Sequence, residues 1–345
     1  MKIGILSTSF FGCPNPAYGG LEAVNWNLAC GLTARGHKVI LYAPDNSQTP
    51  PGGFLYKTGP ALDTVNVDWM NEEKADWENV KHTFGELDIL LGSNWFGFEY
   101  LSKKENPELR VTHVHHGGLN SDWWKPGTAP FKLNIIGISQ HMRRVYESQG
   151  FPTHVVYNGI DAGLYPPSHD KSDRFLFLGR IDPIKGVHIA IDAARRADVP
   201  LDVVGATSFV TNQQYVSQMN GMCDGEKVKF VGEVDHETKV KYLQDAKALI
   251  VASQFGEPFN LCAAEAMACG TPVITLNDGG LPEVVEHGVT GFVCQNIYEM
   301  EEAIMKIDDI NYDDCINRVQ NNFTKEKMAE NYEKQFTDIL AGNEW

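Results

Sequence analysis

Two acidic side chains in the stretch FGEPFNLCAAEAMACGTPVI are the first candidates for chemistry. Glu257 precedes Pro258, a residue suited to the opening position of a helix. Small and apolar residues follow and stop at Gly270, so a helix is predicted with Glu257 at its mouth and Glu265 deeper along it. With both residues helical, their Cα atoms would lie about 12 Å apart. That is too far for the roughly 5 Å carboxylate pair of a retaining glycosidase. The two acids are therefore expected to touch different parts of one extended ligand. N–H groups at Phe259, Asn260 and Leu261 suit a phosphate or a sugar hydroxyl. Ala264, Ala266, Met267 and Ala268 surround Glu265, so the helix reads as buried, and a buried carboxylate needs a partner. The plain alternative is an exposed helical glutamate.

Three other stretches could meet the same ligand. In FLGRIDPIKGVHIAI, Arg180 and Lys185 bracket a turn between a strand ending at Gly179 and a helix. Two cations there can hold a diphosphate and offset charge on a leaving group, or can simply be solvated. PAYGGLEAV places Gly19 and Gly20 where a loop opens a helix. Backbone N–H groups can approach a phosphate there, or the turn alone needs glycine. THVHHGGLN puts His113 and His115 on one face of a strand and His116 at its end, with Asp122 the next acid along the chain. One pocket histidine is expected, and no metal. Gly279 and Gly280 offer a second backbone cradle, NGID (158–161) reads as a turn, and Arg143 and Arg144 read as a solvated helix face. Neither G-x-G-x-x-G nor G-x-x-x-x-G-K-[ST] occurs, which counts against dinucleotide and P-loop sites.

The elements that must position these residues alternate along the chain. KIGIL, KVILYAP, DILLGSN, VTHVHH, IIGIS and HVVYNGI read as short buried strands, with a helix from Leu21 to about Arg35. A Pro-rich segment, GLYPPSHDKS, separates this set from a second: RFLFLG, LDVVG, KVKFVGEV, ALIVAS, PVITL and TGFV, again interleaved with helical patterns. The chain of 345 residues is thus expected to form two α/β domains, 1–165 and 166–325, with a C-terminal helix, 326–345. The 29 basic and 45 acidic residues give a net charge of −16, which argues against nucleic acid as the main partner. Seven scattered cysteines, no signal-like N-terminus and no apolar stretch of 18 residues lead to the expectation of a reduced, cytoplasmic protein without a spanning helix. Peripheral membrane contact is compatible with that.

In order and spacing, YGGLE, NGID, GRIDPIKG, the two glutamates eight residues apart and GGLPEVVEHGVTGF resemble the retaining GT-B glycosyltransferases of family 4, the glycosyl transferases group 1. The resemblance covers most of the chain. It implies an α/β, GT-B fold: two Rossmann-like domains facing a central cleft, the last helix crossing back to the first domain. It also implies that the first domain holds most of the acceptor and the second a nucleotide-diphosphate sugar, UDP-sugar first and GDP-sugar next. Arg180 and Lys185 are similar to the diphosphate clamp, Glu265 to the carboxylate on the ribose hydroxyls and Glu257 to the residue on the donor sugar. Phe259, Asn260 and Leu261 would support sugar and phosphate through their backbone. Gly19 and Gly20 would approach the diphosphate, and His116, or His115 in a shifted register, would lie beside the sugar. Asn260 departs from the family, which commonly has glycine there; its side chain would bond the sugar or narrow the pocket.

The implied reaction moves a hexose to a hydroxyl with retention, the leaving diphosphate helping to deprotonate the acceptor, without metal or cofactor. The acceptor, a small molecule, glycan or lipid-linked group, would meet loops of the first domain carrying Trp69, Trp77, Trp95, Trp123 and Trp124, unless these are core. An epimerase or phosphorylase of the same fold, or a non-catalytic nucleotide-sugar-binding protein, are the rival readings.

Overall fold

A computed structural model describes residues 1–15, 19–62, 67–117, 131–208 and 212–345. The chain divides into two units, each built on one parallel sheet. The first contains 19–159 with the N-terminal strand and takes up the chain again from Lys325 to Trp345; the second contains 160–324.

The first sheet consists of β1 (Lys2–Leu6), β2 (Lys38–Ala43), β3 (Phe54–Lys57), β4 (Ile89–Gly92), β5 (Arg110–His115), β6 (Ile135–Gly137) and β7 (Thr153–Val155). Their order is β3-β2-β1-β4-β5-β6-β7. Ile3, Ile5, Val39, Leu41 and Leu90 are fully buried, as expected for parallel strands covered on both faces. Around it lie α1 (Gly20–Ala34), α2 (Trp69–Val80), α3 (Glu99–Glu105) and α4 (Gln140–Ser148). Sequence reading missed β3, a four-residue edge strand whose Phe54 and Tyr56 are exposed.

The C-terminal helix, Lys325–Leu340, belongs to this first unit. It buries Met328, Ala329, Tyr332, Phe336 and Ile339, a single stripe at helical spacing. A Cβ at Gly31 of α1 would come within 2.8 Å of Ala329 Cβ, so only glycine allows the two helices this close. Glu333 binds Arg35 and His37 at the edge of the contact. Beyond the helix, Trp345 stacks on His154 with 3.7 Å between ring centroids and donates its indole N–H to the Ile135 carbonyl at 3.0 Å.

The strands of the second sheet are β8 (Phe175–Leu178), β9 (Leu201–Val204), β10 (Val228–Gly232), β11 (Leu249–Val251), β12 (Val273–Leu276) and β13 (Gly291–Cys294). Their order is β10-β9-β8-β11-β12-β13. Its helices are α5 (Val187–Arg196), α6 (Gln213–Met222), α7 (His236–Asp245), α8 (Leu261–Ala268), α9 (Leu281–Val284), α10 (Ile297–Met305) and α11 (Tyr312–Asn322). In both sheets the strand order reverses direction once, between β1 and β4 and between β8 and β11. Open α/β sheets bind ligands outside the carboxyl ends of the strands at such a reversal. All seven cysteines are free thiols. No helix among the described residues is long and apolar enough to cross a membrane.

Candidate active site

The reversal in the second sheet explains how residues 72 positions apart meet. Lys185 ends a short 3-10 turn (Pro183–Lys185) after β8, and Glu257 lies in the loop after the neighbouring β11. Asp182 caps that turn, its carboxylate accepting the Ile184 N–H at 3.2 Å. Gly186 follows at φ +72°, and a Cβ there would fall on the Ala252 carbonyl, so glycine lets the two loops touch. The Lys185 ammonium then donates to both carboxylate oxygens of Glu257, at 3.0 and 2.8 Å, and lies 4.7 Å from the Phe255 ring centroid. Ser253 donates a third bond, at 2.7 Å, to Glu257 Oε2.

Asp278 holds the Glu257 loop from below. Its carboxylate accepts N–H bonds from Phe255, Gly256 and Glu257, the last at 2.9 Å. Gly280 N–H donates to the Glu257 carbonyl at 2.7 Å. Gly279 has φ +58° and no room for a Cβ, which would fall on the Glu257 backbone. These two glycines thus lock the glutamate loop, and the Gly280 N–H expected to cradle a ligand is engaged by the Glu257 carbonyl. α9, at four residues, is too short to offer a helix-end site of its own.

The helix predicted from Pro258 begins later, at Leu261. Pro258 and Phe259 stay in the loop because Phe259 is buried against Phe323, ring centroids 5.4 Å apart, and leaves only its backbone for a ligand. Asn260 is the N-cap, its side-chain oxygen accepting the Ala263 N–H at 3.0 Å. Its φ of +77° explains why glycine suits this position and why asparagine, which tolerates positive φ better than most residues, can replace it. The side-chain oxygen of Asn260 is thus turned toward the helix.

Glu265 sits on α8, buried, and its partners are Tyr165 and Lys239. Tyr165 donates to Oε1 at 2.6 Å, and the Lys239 ammonium reaches both oxygens at 3.1 Å. Burial, the largest influence on Lys239, works against its charge, but Glu265, with Cys262 and Cys269, together outweighs it and the pKa lies above the ordinary lysine value. Arg180 is not brought to Glu257; its Nε lies 3.4 Å from Asp182 Oδ2.

In the first unit the loops after β1, β4 and β5 carry the sequence candidates. Gly19 caps α1 and Gly20 is its first residue. Beneath them Glu22 is buried and accepts from Thr8 at 2.7 Å, and burial raises its pKa. His113 points into the core and binds Glu99 at 2.6 Å. His115 is buried and accepts the Gly117 N–H at 3.1 Å. His116, partly buried, lies 3.3 Å from the Ser93 hydroxyl. Burial, with His113 and His116 beside it, pushes the His115 imidazole down to about 3. Burial and His113 do the same to His116, also to about 3. Both rings are neutral at physiological pH. No group of three or more potential metal-binding side chains occurs among the described residues.

Trp77 is core, 3% exposed, with its indole N–H on Ser102. Trp69 is partly buried against Phe10, while Trp95 is 37% exposed and lies edge-on to His115. The Trp95 and Phe96 N–H groups both donate to buried Glu73 on α2, whose pKa burial raises to about 8. Trp123, Trp124 and Asp122 lie outside the described residues. Sequence reading missed Ser253, Asp278, Tyr165, Lys239 and Glu73, which hold the candidates in place. Tyr165 was hidden inside the Pro-rich linker, and the others carry no local motif.

Residues 18–164 match the family model described as Glycosyltransferase Family 4, and residues 166–334 match Glycosyl transferases group 1. The chain is 26% identical over 352 residues to spore coat protein SA of Bacillus subtilis strain 168, covering 90% of each. Among solved structures it is similar to a glycosyltransferase involved in avilamycin A biosynthesis, at a TM-score of 0.78 and 23% identity over 100% of this chain and 99% of that one. It is also similar to Anabaena HepE in complex with UDP-glucose, at a TM-score of 0.70 and 19% identity over 99% of this chain and 100% of that one. With two parallel sheets, each flanked by helices and reversing once, the chain belongs to the GT-B glycosyltransferases of family 4, the glycosyl transferases group 1.

Proposed function

We propose that this glycosyltransferase moves a hexose, with retention and without a metal, from a nucleotide-diphosphate sugar to a hydroxyl acceptor, and that the donor is a UDP-sugar before a GDP-sugar. The observation that carries the reading is the Lys185–Glu257 pair at the reversal of the second sheet. A cation fixed at that point suits the phosphate oxygens of a donor, and a carboxylate beside it suits the hydroxyls of the attached sugar. The UDP-glucose complex of HepE, a protein of similar fold, supports the choice of base.

On this reading the bond between the sugar C1 and the phosphate oxygen breaks, the diphosphate leaves with the electron pair, and positive charge spreads over the sugar ring. Lys185 and Arg180 stabilise the diphosphate as its charge grows. The acceptor oxygen attacks C1 from the face the diphosphate leaves, and its proton passes to the departing phosphate oxygen, so the configuration is retained. Neither glutamate is needed as a nucleophile. Glu257 orients Lys185 and the sugar, and Glu265 takes the ribose hydroxyls. His116, with His115 beside it, serves the first unit as a neutral hydrogen-bonding group, suited to an uncharged hydroxyl.

Thermal shifts with UDP, GDP and ADP, each with and without Mg²⁺, test the donor. A ligand at 100 times its Kd stabilises by about 2.7 kcal/mol, a rise of several degrees in Tm. The expected result is a shift with UDP, independent of Mg²⁺ and lost in Glu265→Ala. No shift with any of the three would overturn the reading. Incubation with UDP-glucose alone separates transfer from epimerisation, since an epimerase changes the donor without an acceptor.

A further inference from the structure

We propose that Lys239 and Tyr165 are positioning residues that aim the Glu265 carboxylate at a ribose hydroxyl of the donor nucleotide. This rests on the reading of Glu265 given above and goes on to say what makes that carboxylate selective. Three side chains from three separate segments converge: Tyr165 from the segment before β8, Lys239 from α7 and Glu265 from α8. The triangle is closed, because the Lys239 ammonium also reaches the Tyr165 hydroxyl at 3.1 Å and lies 5.2 Å from its ring centroid. Among the described contacts the two carboxylate oxygens are used unequally. Oε1 accepts from both Tyr165 and Lys239, whereas Oε2 accepts from Lys239 alone. A carboxylate oxygen has two in-plane acceptor positions. Oε1 is thus saturated, and Oε2 keeps a position for one further donor, such as a hydroxyl of the ligand.

The same contacts fix the direction of the carboxylate. Glu265 is 8% exposed, and a buried carboxylate needs partners of this kind. The ammonium of Lys239 supplies the opposite charge, and the Tyr165 hydroxyl prevents the carboxylate from rotating about its own axis. A glutamate held at three points presents Oε2 in one direction before the nucleotide arrives, so little ordering remains to be done on binding.

The test uses calorimetric titration of the full chain with UDP and with 2′,3′-dideoxyuridine 5′-diphosphate. Lys239→Met should weaken UDP by about tenfold, and Tyr165→Phe by roughly threefold, as expected for losing bonds that orient a charged acceptor. With the dideoxy nucleotide, which has no hydroxyl for Glu265 to receive, both penalties should vanish. Equal penalties for the two nucleotides would mean that Lys239 merely holds α7 against α8, and would overturn the proposal. Should Lys239→Met fail to fold, Tyr165→Phe carries the same comparison alone. UDP binding to the unaltered chain that is indifferent to the ribose hydroxyls would overturn the inference while sparing the donor reading. Failure of UDP, GDP and ADP to bind at all would remove both.

Discussion

The two units share an architecture and treat buried polar chemistry in opposite ways. At the carboxyl ends of the first sheet Glu73, His115 and His116 have backbone N–H groups or a hydroxyl as their hydrogen-bond partners, whereas deeper in β5 His113 is bonded to Glu99. His115 and His116 are pushed to about 3 and Glu73 to about 8, so the imidazoles are neutral and the carboxyl is protonated over much of the neutral range. At the corresponding ends of the second sheet, charges are buried in pairs: Lys185 with Glu257, and Lys239 with Glu265. The difference gives the proposed function a physical form: on that proposal, neutral rings and the exposed face of Trp95 would meet an uncharged hydroxyl acceptor, and fixed ions a diphosphate and its ribose.

The comparison breaks most visibly at Lys185. Lys185→Ala should cut kcat by roughly 10²-fold or more, because it removes a cation from the site where leaving-group charge develops. Initial rates together with near-ultraviolet circular dichroism check this, and near-normal turnover in a folded variant would remove Lys185 from the reaction. Next in size is Glu257→Gln, which keeps the shape but leaves Lys185 unpaired. A fully buried pair would lose more, but Lys185 is a fifth exposed, so a loss of about 2 kcal/mol in unfolding free energy is expected in urea titration. No loss would mean that the second unit does not depend on paired charge.

Acid and alkali sharpen the contrast in the first unit. Because His115 and His116 bind protons near 3 when folded, against 6.5 ordinarily, the unfolded chain holds more protons between those values. Stability therefore falls as pH drops below 6.5 and levels off near 3. Glu73 acts in the other direction: with its folded value near 8 against 4.5, its contribution is lost as pH rises through that interval. Denaturant midpoints across pH should show a shallower acid limb in His116→Gln and a shallower alkaline limb in Glu73→Gln. Unchanged slopes would mean that both groups titrate as if exposed. The smallest effect is expected at Asn260→Gly, where a lost cap and a relaxed positive φ offset each other to within about 0.5 kcal/mol. A tenfold change in UDP affinity there would show that Asn260 touches the ligand after all.

Much of this was legible from local pattern. Short apolar runs ended by polar or glycine-bearing loops identified twelve of the thirteen strands among the described residues, and the motif order pointed to the family. Glu265 stood out because a carboxylate among small, buried residues needs a partner, Glu257 because it precedes Pro258 at a helix mouth, and Lys185 with Arg180 because two cations bracket a strand-to-helix turn. The start of α8 was misplaced because Pro258 suits a helix start equally well in a loop, and only the burial of Phe259 on Phe323 decides between them. The Asn260 cap depended in turn on where the helix begins.

By itself the sequence determined the alternation of strand and helix, the family, and which side chains had to be accounted for. These are properties of neighbours along the chain, and period and composition record them. Tertiary structure alone decided which charge meets which. Lys185 finds Glu257 because β8 and β11 are adjacent where the strand order reverses, and Arg180, five residues earlier, finds Asp182 instead. Lys239 and Tyr165 find Glu265 across 26 and 100 residues. Pairings over such distances depend on strand order and helix packing, and no local spacing encodes them.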